Sequence, residues 1–169
     1  MNFRESSFIE TKSEEFLAKG LPIVNFMCKH CNRIKISTDL VRELAELKAF
    51  VGDNFNVILG YQCKDLCEDI GDNPNNSHTN GVAADISFNE AYPLLDILDK
   101  AVQIFPFVGL VKVFTGEYYL HVQHDITRLY WLCAKMEDSS KDEYIYFKDY
   151  QALRKFIVEH PDIFSGVKI

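Results

Sequence analysis

Two histidines and one aspartate are spaced so that they could hold a metal ion. His78 and Asp85 lie close together in the sequence, and His121 follows in a second apolar segment. Imidazole and carboxylate groups are ligands of zinc, and catalytic zinc sites use three protein ligands and leave a fourth position open. Structural zinc sites are usually closed by four Cys or His side chains. The residue types therefore predict an open, catalytic metal site formed by His78, Asp85 and His121.

The segments around the first two residues differ in character. His78 directly follows the polar, Asn-rich run 73–77, and the composition of this run predicts a surface loop. Asp85 lies inside the apolar segment 82–88, which predicts a strand. Gly81 lies between them and lets the backbone turn sharply. The loop histidine and the strand aspartate can therefore converge.

The third ligand comes from a predicted hairpin. Residues 109–114 and 117–122 are rich in β-forming types and flank a Thr-Gly turn. Because side chains alternate along a strand, Glu117 and His121 are expected on one face and Tyr118 on the other. Glu117 and His121 could therefore face the same site.

These residues resemble a family of zinc peptidases. The family includes D-Ala-D-Ala carboxypeptidases, L-alanyl-D-glutamate endolysins of phages and vancomycin-resistance dipeptidases, and it is related in fold to the Hedgehog signalling domain. Its motif, Ser-x-His-x-x-Gly-x-Ala-x-Asp, has its five residue types met in order by Ser77, His78, Gly81, Ala83 and Asp85. A later histidine completes the family's metal set, and His121 matches it. The resemblance covers residues 23–125 and implies a Zn²⁺ cofactor and peptidoglycan stem peptides as substrate.

The resemblance also implies substrate-binding residues. Residues 26–31 resemble the family's Cys-containing segment, and residues 56–63 resemble its Ser-Gly-Tyr-Arg strand. Tyr61, Gln62 and Ser77 are the substrate-binding residues that it implies. Gln62 stands where the family has Arg, and a neutral amide cannot make the bidentate pair that Arg makes with a terminal carboxylate. We therefore expect cleavage of an internal peptide bond rather than release of terminal D-Ala.

Other departures from the family leave alternatives open. Tyr118 occupies the position three residues before the last histidine, where the family often has its catalytic carboxylate. The resemblance therefore implies Glu117, four residues before that histidine and on its face of the strand, as the general base. Gln123 occupies a position where some members have Asp. His124 is an alternative metal ligand, and it is followed by Asp125. The rival function is a catalytically degenerate zinc-binding protein, or a phage structural or binding protein, of the same fold.

Five cysteines raise a second metal hypothesis. Cys28 and Cys31 are separated by two residues, and Cys63 and Cys67 by three. These pairs have half-site spacings that could join into a four-Cys structural zinc site, or be linked by a disulfide. The alternative is that all of them are ordinary reduced cysteines. Cys133 lies in an apolar run and is predicted to be a buried small residue.

The elements that must position these residues follow from periodicity. Leucines at helical spacing predict helices at 39–51 and 90–104. Strands are predicted at 55–61, 82–88, 109–114 and 118–124. A further hairpin, 129–136 with 144–147 across the charged turn 137–143, and a helix at 149–159 are predicted to extend the same domain over residues 126–169. The expected fold is α+β, a single domain with a small antiparallel sheet and packed helices, similar to the Hedgehog/DD-peptidase domains.

Composition bounds the function. The chain has 169 residues, of which 47% are hydrophobic and 13% aromatic, which fits one domain, 1–169, with a substantial core. A net charge of −7 without a run of Lys or Arg argues against a nucleic-acid partner. The N-terminus lacks a secretory signal and no segment reaches the length of a membrane span, so we expect no membrane partner and a protein that is cytoplasmic as synthesised. Phage-associated release to the cell wall is compatible with this expectation.

Overall fold

A six-stranded sheet is the largest element of the fold. The computed structural model describes residues 7–10, 16–52, 55–89, 92–113, 115–124, 127–135, 142–164 and 168–169. The strands in chain order are β1 (Phe8–Ile9), β2 (Phe16–Ala18), β3 (Leu21–Pro22), β4 (Ile36–Ser37), β5 (Phe55–Leu59), β6 (Ala83–Phe88), β7 (Phe107–Lys112), β8 (Tyr118–Gln123), β9 (Leu129–Ala134) and β10 (Glu143–Phe147). The first four form two small pairs, β1 with β4 and β2 with β3, and the other six form the sheet.

The sheet order is β10-β9-β7-β8-β6-β5, and its neighbours are antiparallel except for β7 and β9, which run parallel. The predicted hairpin is confirmed, with Gly109 of β7 opposite His121 of β8. The first strand of this hairpin was expected to begin at Gly109, but it begins at Phe107. The reason is that Phe107 is paired on both sides, with Gln123 and with Leu129.

The helices are α1 (Thr38–Val51), α2 (Lys64–Asp69), α3 (Ser77–Asn80), α4 (Leu94–Ile104) and α5 (Tyr150–Glu159), with 3₁₀ turns at Ile23–Phe26 and Pro161–Phe164. The predicted helix 39–51 is confirmed as α1. The predicted helix 90–104 is confirmed in part, because α4 begins only at Leu94. A residue before proline is held in an extended conformation, so Tyr92 cannot join a helix ahead of Pro93. Residues 90–91 lie outside the described part of the chain.

One face of the sheet packs against the helices. Leu40, Leu44 and Leu47 of α1 have no exposed surface, and Leu120 and Val122 of β8 are buried in the same core. Burying each such side chain stabilises the fold by about 1.5–3 kcal/mol. Because β8 alternates, the face that carries His121 is turned away from this core. The helices therefore leave the opposite face of the sheet for the candidate site.

The C-terminal segment belongs to the same sheet. The predicted hairpin is confirmed, since β9 and β10 are antiparallel with Glu143 opposite Ala134. Most of the predicted charged turn, residues 137–141, lies outside the described part. The predicted last helix is confirmed as α5, and Asp149 caps it by accepting a hydrogen bond from the Ala152 amide at 2.8 Å. The described chain is thus one compact α+β domain.

Within the described ranges, no helix is both long and apolar enough to cross a bilayer.

Candidate metal centre

The segment that carries His78 is a short helix. Sequence composition predicted a surface loop over the polar run, and residues 73–76 do lie in turns, but Ser77 and His78 belong to α3 and His78 is buried. Asn76 caps the helix, because its side-chain oxygen accepts a hydrogen bond from the Thr79 amide at 2.9 Å. The Thr79 hydroxyl donates to the Asn76 carbonyl at 2.8 Å. These two bonds cap the helical turn that begins at Ser77, where the polar run ends.

Asn76 also occupies the position of the motif's serine. Ser77 directly precedes His78, whereas one residue separates the serine from the histidine in the motif. Asparagine and serine are both favoured at helix N-caps, so Asn76 can take the local structural role that a serine would have there. Ser77 is the first residue of α3 and is partly exposed.

Gly81 joins α3 to β6. Its φ is +75°, and its carbonyl accepts a hydrogen bond from the Ser37 amide at 2.8 Å. A Cβ atom at this position would lie 2.5 Å from the Lys35 carbonyl oxygen. Only glycine combines the left-handed backbone with this close approach. The predicted sharp turn is therefore confirmed, and it brings the start of β6 directly after the buried histidine.

The other two residues meet across neighbouring strands. Asp85 of β6 is paired in register with His121 of β8, so their side chains lie side by side on the face that the helices leave uncovered. His121 Nδ1 lies 2.8 Å from Asp85 Oδ1, and His78 Nε2 lies 3.4 Å from the same oxygen. One ligand atom from each of the three residues falls within 4.8 Å of the others. The three predicted ligands thus converge, and their donor set fits a metal ion.

The orientation of His78 is set by the backbone. Its Nδ1 lies 2.8 Å from the Gly60 carbonyl oxygen. A carbonyl can only accept, so Nδ1 carries a proton. Nε2 faces Asp85: it donates to the carboxylate when the ring is protonated, and its lone pair is available to a metal when the ring is neutral. Metal-binding histidines commonly use such a bond to a backbone carbonyl to fix tautomer and ring orientation. The side chains of His78, Asp85 and His121 are 9%, 10% and 13% exposed, so the group is largely desolvated but not sealed.

Electrostatics keep the carboxylate ionised. Burial by itself raises the pKa of Asp85, but hydrogen bonds from His121 and His78 outweigh it, and the pKa lies at about 2. Burial lowers the pKa of His78, but its hydrogen bond and attraction to Asp85 prevail, and the pKa is raised above its ordinary value. The carboxylate of Asp85 therefore stays ionised between the two histidines, and an ionised carboxylate is the form that binds a cation.

Aromatic side chains border the site on the same face. The rings of Phe107 and Trp131 have centroids 5.9 Å and 5.7 Å from that of His121. Trp131 crosses Gly109, where a Cβ would lie 2.2 Å from the indole ring. Tyr144 lies 5.8 Å from Trp131 between ring centroids and continues the row outward. Sequence reasoning missed Trp131, although a glycine inside a β-forming run signals such a close approach.

His124, the alternative ligand, is directed elsewhere. Its Nδ1 lies 2.9 Å and 3.0 Å from the two carboxylate oxygens of Glu43 in α1. Burial raises the pKa of Glu43 despite the opposing attraction of His124. His121 and not His124 completes the group with His78 and Asp85. Asp125 lies outside the described residues.

Glu117, the predicted general base, does not reach this group. β8 begins one residue later, and Glu117 is exposed in the turn, where its carboxylate lies 3.4 Å from the Thr115 hydroxyl. Glu117 is four positions before His121, a span of about 13 Å at ~3.3 Å per residue. Tyr118 points into the core side, and its hydroxyl donates to the Ile163 carbonyl. The role of Glu117 stays a prediction that its position does not support.

The predicted substrate-binding residues lie in the chain next to the site. Gln62 is buried, and its Oε1 lies 4.0 Å from Cys67 Sγ. The Tyr61 amide donates to the Phe26 carbonyl at 3.0 Å. Burial, followed by the neighbouring cysteines with Cys31 first, raises the pKa of Tyr61. The Gln62 side chain therefore contacts a cysteine, and Tyr61 lies beside the cysteine-rich segment.

Comparison with known proteins finds no matching family model, curated protein or solved structure. The functional argument therefore rests on the metal-binding group and its surroundings.

Proposed function

We propose that this protein is a zinc-dependent peptidase with a Hedgehog/DD-peptidase-like fold, and that it cleaves D-amino-acid-containing peptide bonds of peptidoglycan. The observation that carries the proposal is the convergence of His78, Asp85 and His121 on the uncovered face of the sheet. Two imidazoles and one carboxylate suit zinc, and a three-ligand site leaves room for reactants. Four fixed positions of the family's motif are shared, and they support the same family of reactions: His78, Gly81, Ala83 and Asp85.

The chain's own residues prepare the site for hydrolysis. Zinc bound there would supply Lewis-acid activation of a water molecule and of the peptide carbonyl. Asp85 remains ionised and draws both histidines towards one point. The Gly60 carbonyl holds His78 in the tautomer that leaves Nε2 free to bind. Partial desolvation of the three side chains strengthens their attraction for a cation.

The surroundings favour an extended substrate. Trp131 and Tyr144 form a row of rings that leads away from the metal group, and Tyr146 extends it with a centroid separation of 6.4 Å from Tyr144. Tyr144 and Tyr146 are 51% and 65% exposed, so this row is open to a ligand. Gln62 provides no cation for a terminal carboxylate. We therefore propose an internal bond of the stem peptide as the target, reached through phage-associated release to the cell wall.

Two substrates test this specificity. Intact sacculi and a pentapeptide-bearing muropeptide are incubated separately with the zinc-loaded protein, and the products are identified by mass. We expect internal cleavage of stem peptides in sacculi and little release of D-Ala, because burying a terminal carboxylate without a cationic partner is unfavourable. The matched control is Gln62→Arg, which should increase D-Ala release. Rapid release of D-Ala alone by the unmodified protein would contradict the specificity.

The Glu117 prediction is tested by removing its charge. Given the exposed position of Glu117, we expect Glu117→Gln to retain the metal and to keep its rate within about tenfold, well short of the 10²–10⁴-fold contribution of a positioned acid or base. Rates and metal content are measured on the same preparation. A loss of a hundredfold or more with the metal intact would restore Glu117 as the general base.

A second candidate function is a non-catalytic protein of the same fold, which binds zinc without turnover or serves as a phage structural or binding protein. The observation that favours it is that Glu117 contacts Thr115 in the turn and Gln62 contacts Cys67. The same incubations distinguish the two functions. Zinc bound at His78, Asp85 and His121 with no product from either substrate would support the non-catalytic function.

A further inference from the structure

Three cysteines from two separate segments form a second group, distinct from the sheet-face group of His78, Asp85 and His121. Cys28 and Cys31 lie in the turn that follows the 3₁₀ helix, and Cys63 lies between β5 and α2. Their sulfur atoms all lie within 4.8 Å of one another. Cys28 and Cys63 are buried, whereas Cys31 is partly exposed. Sulfur atoms that share one zinc ion at about 2.3 Å lie at separations of this order, so the three thiols fit the same ion.

The backbone around the cysteines forms a compact turn. The Cys28 amide donates to the Arg33 carbonyl at 2.9 Å, and the Asn32 amide donates to the Cys28 carbonyl at 2.8 Å. Asn32 takes a left-handed conformation, with φ of +55°, which closes the turn. The Cys63 amide donates to Cys28 Sγ at 3.3 Å. A donor to sulfur stabilises the thiolate, which is the form that binds metals.

The three sulfur atoms group without Cys67 and without His30, but His30 contacts one of them. Nδ1 of His30 lies 3.3 Å from Cys63 Sγ. Cys67 instead faces Gln62, and its sulfur lies 3.6 Å from Asn76 Nδ2. The four-Cys site that the spacing allowed is therefore reduced to Cys28, Cys31 and Cys63, and His30, which contacts Cys63, is the candidate for the fourth position. Such a Cys₃His set closes a tetrahedral zinc site and is typical of structural zinc.

We propose that Cys28, Cys31 and Cys63, with His30 as fourth ligand, bind a structural zinc ion. The three thiols release their protons to solvent as the metal binds, and no oxidant or reductant is required. The ion joins the turn at residues 28–32 to the segment that leaves β5. Neither segment alone holds enough ligands, so the metal stabilises the folded arrangement of both.

The cysteine site also supports the sheet-face group. The segment that it anchors begins at Gly60, whose carbonyl orients His78. The Tyr61 amide bonds to the Phe26 carbonyl, so the same segment is held against the chain just before Cys28. Loss of the structural zinc should therefore displace the Gly60 carbonyl. We expect zinc affinity at the sheet-face group to fall by about 10–100-fold, the usual effect of losing an outer contact of a metal ligand. This coupling rests on the proposed metal role of His78.

Metal content and cobalt spectroscopy test the proposal. The protein purified under reducing conditions should hold about two zinc ions per chain, and Cys31→Ser, the least buried of the three cysteines, about one. Cobalt substitution should produce the near-ultraviolet thiolate charge-transfer absorption in the unmodified protein and in His78→Ala, and this absorption should disappear in Cys31→Ser. His30→Ala should retain the absorption but bind cobalt more weakly.

The control is Cys67→Ser, which changes a buried cysteine near the site and should leave the absorption and the metal content intact. Circular dichroism verifies that each variant is folded. If the unmodified protein shows no thiolate absorption, or if its intact mass is two hydrogens lighter with a disulfide among these cysteines under the same conditions, the proposal is wrong. Unchanged cobalt affinity in His30→Ala would exclude His30 as the fourth ligand. None of these readouts depends on peptidase activity.

Discussion

Replacing any one of His78, Asp85 and His121 by alanine should remove the metal that these three residues, the sheet-face group, bind together. Three ligands are the minimum for such a site, and outer contacts alone are worth about 10–100-fold in affinity, so losing a direct ligand should cost more than about 100-fold. Zinc retained after dialysis against a weak chelator measures the effect. If the cysteine site is also loaded, the content should fall from about two ions per chain to about one, and activity should be lost with it.

The matched control is His124→Ala. This histidine lies close to His121 in the chain and is also paired with a carboxylate, but its partner is Glu43 and it lies outside the metal group. We expect His124→Ala to retain the full metal content. Full zinc in all three ligand variants, or a loss in His124→Ala equal to theirs, would contradict the assignment.

Gly81→Ala should destabilise the protein and disturb the metal group. The left-handed conformation costs a residue with a Cβ roughly 1–2 kcal/mol. The new Cβ would also lie 2.5 Å from the Lys35 carbonyl oxygen, so the backbone must shift. We expect a total loss of about 2–4 kcal/mol in the free energy of unfolding, measured by urea denaturation of the metal-free protein. Because Gly81 ends α3, the shift should also weaken zinc binding through His78.

Gly71→Ala separates the cost of the left-handed backbone conformation from the cost of the contact with Lys35. Gly71 has nearly the same φ, +73°, but a Cβ there would meet nothing within 4 Å. Its alanine variant should therefore lose only the conformational part, about 1 kcal/mol, and should bind zinc normally. Equal destabilisation in the two variants would show that the contact with Lys35 is unimportant.

Local patterns in the sequence predicted much of the fold. The leucine spacing of α1 and the alternation of β8 are repeated within a few residues, and both were confirmed because burial on one side imposes that period. Element ends were less accurate. Pro93 delayed the start of α4, and pairing on both sides extended β7 to Phe107.

The errors at the site arose where contacts or distances, rather than local composition or periodicity, decide the structure. Composition predicted a loop at His78, but one side-chain bond from Asn76 to the backbone formed a helical turn. Strand alternation predicted that Glu117 and His121 lie on the same face. It does not predict how far apart they lie along the strand, and that distance keeps Glu117 from the metal group. The cysteine spacing favoured a site that includes Cys67, yet Cys67 lies outside the group of sulfur atoms. His30, between the first two cysteines, contacts Cys63 instead.

The sequence by itself determined the ligand types, the glycine turn between His78 and Asp85, and the strands on which Asp85 and His121 lie. These features depend on residues close together in the chain, so local stereochemistry is sufficient to predict them. Only the tertiary structure decided that Asp85 lies opposite His121, that Trp131 crosses Gly109, and that Cys63 joins the first cysteine pair. Each of these contacts depends on strand register or on packing between distant segments, where core burial selects one arrangement among many that the local patterns allow.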